Sequence, residues 1–94
     1  MGFHIRLQFP GCSTLKDRRA RVQSIVHNAK ARHGFSAADI SDPLKIDYAE
    51  LGLAAVGKNE QEIRLRLDRV LAAAEHGGET LILGVEELEM TEES

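Results

Sequence analysis

Near the N-terminus, Phe3-His4-Ile5-Arg6-Leu7-Gln8-Phe9 alternates apolar and polar residues without a fault. A period of two is the pattern of a strand with one buried face and one open face. Pro10-Gly11 ends the run. A chain that opens this way needs further strands beside this one and a second layer over its buried side.

The rest of the chain reads accordingly. Ser13 or Thr14 can cap a helix, and Asp17, three residues after Thr14, serves as the acidic half of a capping-box variant and suits the positive end of the helix. The helix is expected to run to about Arg32, with Leu15, Val22, Ile25, Val26 and Ala29 on one side and Gly34 as its stop. A short strand from Phe35 to Ile40 ends at Ser41-Asp42-Pro43, because the residue before a proline is pushed out of helical geometry. Tyr48 to Val56 reads as a central strand, in which Gly52 and the alanines leave room for a helix to pack closely. Asn59 followed by Glu62 opens a second helix through about Glu75, with Ile63, Leu67, Val70, Leu71 and Ala74 on one face and Gly77-Gly78 after it. Thr80 to Leu88 reads as the last strand.

This order, β-α-β-β-α-β, predicts an α+β fold of the ferredoxin-like kind: a four-stranded antiparallel sheet with two helices on one face. Residues 1–88 are expected to form one such domain, with 89–94 as a loose acidic tail. If Phe3, Ile5, Leu7 and Phe9 face the helices, then His4, Arg6 and Gln8 point to the open face. Tyr48 and Glu50 are expected to join them there from the third strand, and Thr80, Ile82 and Glu86 from the fourth.

A chain of 94 residues can bury only one thin core, which leaves little room for a walled substrate chamber. The single Cys rules out a disulfide framework and fits a reducing compartment. No apolar run approaches the ~18–20 residues of a membrane span, and no signal segment opens the chain, so a cytoplasmic protein is expected.

The net charge of −3 conceals a division. Residues 1–34 carry seven basic side chains and one acid, a charge of +6, whereas residues 35–94 carry five basic side chains and fourteen acids, a charge of −9. The basic excess gathers at the start of the first helix, in Lys16, Arg18, Arg19 and Arg21. At about 100° per residue, Lys16, Arg19, Gln23, His27 and Lys30 share one polar stripe, while Arg18, Arg21 and Arg32 fall on the opposite flank of the apolar face. Cations near a helix N-terminus oppose the macrodipole, which points to a role beyond helix stability. Arg forks and Lys charges at this place suit phosphate. The competing reading is a solvated helix face whose cations pair with acids of the second half.

Catalysis has thinner support. Cys12 precedes a helix, where a thiol can be activated, but no His adjoins it in sequence, and a lone loop Cys is more often a packing residue. His4, His27, His33 and His76 lack metal-ligand spacing. Neither a catalytic constellation, a metal site nor a cofactor is expected, and sequence-specific base stacking is disfavoured because only Tyr48 falls on the open parity.

Phe9-Pro10-Gly11-Cys12-Ser13-Thr14-Leu15-Lys16-Asp17-Arg18-Arg19 resembles the P-G-x-x-S-L-K-x-K-R segment of the YlxP-like family of small bacterial proteins. Ala49-Glu50-Leu51-Gly52-Leu53-Ala54-Ala55-Val56 is similar to the A-x-L-G-V-A-V-V strand of that family. Thr14 stands where the family usually has Ser, Arg18 where it has Lys, and the linker 44–47 lacks its usual Trp. The resemblance spans nearly the whole chain. It implies a ferredoxin-like fold and, from the family's gene neighbourhood, work on RNA or the ribosome. Two functions are therefore expected in competition. One is a non-enzymatic accessory protein of translation or ribosome maturation, contacting rRNA or a ribosomal subunit through Lys16, Arg18, Arg19 and Arg21, with Arg6 and Lys30 as secondary contacts. The other is a protein-interaction module or homodimer that uses the open sheet face or the second helix, where exposed Leu65 lies opposite the core stripe.

Overall fold

The elements follow in the order β1 (Gly2–Gln8), α1 (Leu15–His33), β2 (Ser36–Asp39), β3 (Tyr48–Ala54), α2 (Glu60–Glu75) and β4 (Leu81–Leu88). The computed structural model describes residues 1–42 and 44–89, so the expected acidic tail lies, beyond Glu89, outside the described residues. The strands form one antiparallel sheet in the order β2-β3-β1-β4. This is the ferredoxin-like arrangement that the order of elements predicts.

Strand β1 is central, and its register explains the core. Phe3, Ile5 and Leu7 lie opposite Leu53, Leu51 and Ala49 of β3, and all six are buried. Val22 and Ala29 of α1 and Ile63, Leu67 and Val70 of α2 close over them. Phe35 and Phe3 form a T-shaped pair, with ring centroids 6.5 Å apart. Among the described residues, the other face of the sheet carries no helix.

Both helices are capped as their sequences foretell. Thr14 accepts from the Asp17 N–H through its hydroxyl, and Asn59 accepts from the Glu62 N–H through its amide oxygen. Gly34 ends α1 at φ 70°, a left-handed conformation that only glycine adopts freely, and returns its N–H to the Ala29 carbonyl. Of the i, i+4 pairs Glu60/Arg64 and Glu62/Arg66 in α2, the second forms at 2.9 Å. Arg64 leaves Glu60 and instead reaches Glu87 on β4, at 2.6 Å.

Three expectations need correction. Thr80 and Ile82 do not join the open face. Arg6 lies opposite Gly84 while Leu7 lies opposite Ile82, so Leu83 is an extra residue in β4 with no partner on β1. This bulge reverses the parity of everything before it: Thr80 is buried, Ile82 packs on the core, and Glu86 alone of the three is on the open face, opposite His4. Leu15 is 47% exposed, and the core position one turn before Val22 is taken by Arg18. Gly52 lies on the open face, where the side chain of Ile40 covers it rather than a helix.

Candidate nucleic-acid interface

The α1 positions that turn inward are 18, 22, 25, 26 and 29, at helical spacing. Arg18 is therefore a core-edge residue, 7% exposed. Its Nε donates to the Tyr48 carbonyl at 2.8 Å, and its Nη2 stands 3.8 Å from Asp39 Oδ2. The guanidinium thus links the first helix to both β3 and β2.

Arg21 is half-buried and also engaged. Its Nη1 donates to the Glu79 carbonyl at 3.2 Å, and its Nη2 pairs with Asp17 at 3.2 Å. Arg21, Ser24, Ile25 and Arg32 line the clefts between α1 and α2. Lys16, Arg19 and Lys30 consequently occupy the flank of α1 turned away from α2, and all three are exposed. Gln23 continues this stripe, His27 instead lines the cleft shared with α2, and the sole acid of the helix, Asp17, is held by Arg21 away from the stripe.

Arg6 belongs to the other side of the molecule. It lies on the open sheet face with its guanidinium over Gly84, where a Cβ would overlap it. The six cations picked out from sequence therefore separate into an exposed row of Lys16, Arg19 and Lys30, two engaged arginines (Arg18 and Arg21), and Arg6 on the far face.

The open face also carries a polar cluster that pattern alone did not assemble. His4 Nε2 lies 3.0 Å from Glu50 Oε1, and Lys45 Nζ sits 4.7 Å from the centre of the Tyr48 ring. Partial burial, and then the charge of Glu50, push the Tyr48 phenol above its ordinary value, with Arg6 opposing. Lys45 comes from the 44–47 linker; its place three residues before the only open-face aromatic was the available signal.

Cys12 is buried, with its thiol turned to the Thr14 carbonyl at 3.6 Å. Burial foremost, and then Asp17, push that thiol up in pKa, the opposite of what a nucleophile needs. No group of three His, Cys, Asp or Glu converges as a metal site among the described residues, nor is any described helix long and apolar enough to cross a membrane.

A ferredoxin-like α+β domain with an exposed cationic helix flank and, among the described residues, a sheet face without a helix is the class these features define. Within that class, the chain belongs to the DUF503 family, described as a protein of unknown function, whose family model matches residues 2–87. Comparison with curated proteins returns no match.

Proposed function

We propose that the protein is a non-enzymatic accessory factor of bacterial translation or ribosome maturation that contacts RNA phosphates through the outer flank of α1. The observation that carries this reading is the row of Lys16, Arg19 and Lys30, exposed and free of interspersed acid. From Lys16 to Lys30 the row runs about 21 Å at 1.5 Å per residue, long enough to follow several phosphates of one nucleic-acid strand. The YlxP-like resemblance supports the choice of RNA, since the basic segment Leu15-Lys16-Asp17-Arg18-Arg19 lies within the motif that carries it. Recognition here reads backbone rather than bases: the described residues of the flank include no Phe, Tyr or Trp to stack on.

The test is co-sedimentation with ribosomal subunits across a salt series, comparing the wild type with K16A/R19A/K30A. Each lost phosphate contact removes about 0.7–0.9 from the slope of log affinity against log salt, so the triple variant should bind more weakly and with a slope lower by about 2–3. Identical binding at every salt concentration overturns the assignment.

A further inference from the structure

Among the described residues, strand β4 leaves one backbone edge unpaired, since it closes the sheet beside β1. Along it Leu81, Leu83, Val85 and Leu88 stay 43–47% exposed. An edge strand of eight residues with this much apolar surface is a template for another strand. Of its two acids, Glu87 is taken by Arg64, at 2.6 Å. Glu86 forms no ion pair among the described residues, and neither does Arg6, whose guanidinium lies over Gly84 on the same open face.

We infer that the protein forms a two-fold homodimer by pairing β4 antiparallel with β4 of a second copy, with Val85 on the axis. In an antiparallel pair, residues directly opposite share a face, so a two-fold axis must pass through a residue rather than between two. With Val85 on the axis, the two Val85 side chains meet on the helix face, and Gly84 stands opposite Glu86 of the second copy on the open face. Gly84 has no side chain to intervene, so Arg6 above it meets that carboxylate, and symmetry makes the pair twice. An axis at Glu86 would oppose two like charges directly. One at Gly84 would turn Glu86 toward the bulged part of the strand and leave Arg6 without its partner. Of these three registers, the one centred on Val85 makes the charge pattern of the edge complementary to itself.

The experiment is sedimentation equilibrium of the wild type, E86R, R6E and R6E/E86R, both side chains being exposed, with circular dichroism as the check on folding, above all for R6E, which sets an acid opposite Glu50 of β3. The wild type should show a concentration-dependent monomer–dimer equilibrium, and each single variant should weaken association by about tenfold, because two cross-strand pairs turn repulsive at once. The double variant, with the charges exchanged, should recover most of that loss. V85E, which sets two carboxylates face to face on the axis, should be monomeric. K16A/R19A/K30A should dimerise as the wild type does, which separates this test from that of RNA binding. A wild type still monomeric at about 1 mM, single variants without effect, or a double variant without recovery overturns the proposal. So does pairing of β4 with a strand of a different protein in place of its own copy.

Discussion

The Nε of Arg18 donates to the carbonyl oxygen of Tyr48 at 2.8 Å, across 30 residues of sequence, and so ties the first helix to the third strand. Its Nη2, 3.8 Å from Asp39, lies buried without a hydrogen bond among the described residues. A charge held in this way orients the helix on the sheet, and removing it leaves a half-buried carbonyl without its donor and a carboxylate without its counter-charge. Arg18→Ala is therefore expected to destabilise the protein by about 2–4 kcal/mol, measured as a shift in the urea midpoint. Arg18→Lys, which keeps the charge and loses the planar fork, should recover part of it. A variant as stable as the wild type would mean that the bond carries no net stability.

The exposed row on the same helix behaves in the opposite way. Because Lys16, Arg19 and Lys30 reach no partner through an ion pair among the described residues, K16A/R19A/K30A should unfold within about 0.5 kcal/mol of the wild type. Its defect should appear in RNA affinity alone. Arg18→Ala should show the reverse, a stability defect with little change in affinity per folded molecule. Chemical denaturation and binding measured on the same samples separate the two roles.

Alkaline pH should weaken the fold. Burial raises the Cys12 thiol from its ordinary value of 9.0, and partial burial together with Glu50 raises the Tyr48 phenol from 10.0. In each case the folded state keeps a proton that the unfolded chain releases. Stability is then full below the unfolded-state value and falls as the pH rises through the folded-state value. Urea midpoints measured from pH 8 upward should decline from about pH 9, with Cys12→Ser flattening the first part and Tyr48→Phe the second. Stability that rises over this range would contradict the assigned directions.

At Gly34, φ is 70°, and a Cβ built there would stand 3.1 Å from Arg66 Nη1. Arg66 itself donates to the His33 carbonyl at 3.4 Å, so the glycine and the arginine together close the end of α1. Gly34→Ala should lower stability by about 1 kcal/mol, and Gly34→Asn by less, since Asn tolerates the left-handed region. Thermal unfolding of the two variants beside the wild type gives the comparison.

Most of the fold was legible because its signals are local. Alternation along Phe3–Phe9 predicted the buried face of β1, and Thr14/Asp17, Gly34 and Asn59/Glu62 marked helix ends that the structure keeps. The site was less legible. The charge of Arg18 suggests a flank residue, although its spacing to Val22, Ile25 and Ala29 is that of the core stripe. Its burial depends on a carbonyl 30 residues away, and no local pattern contains that acceptor. Ile82 was misplaced for a related reason: parity counted along β4 cannot register the extra residue at Leu83, which is visible only against β1.

The sequence by itself determined the succession of strands and helices, the inward face of the central strand, and the concentration of positive charge in the first third of the chain. Periodicity, capping and charge act over a few residues, so they can be read one segment at a time. Tertiary structure alone decided which cations remain exposed and which are engaged, that Arg6 stands on the face opposite Lys16, Arg19 and Lys30, and that β4 has a bare edge on which Glu86 lies unpaired. Each of these depends on pairing between distant strands. Sheet order and register determine which side chains share a surface, and a single bulge exchanges the two faces of a strand.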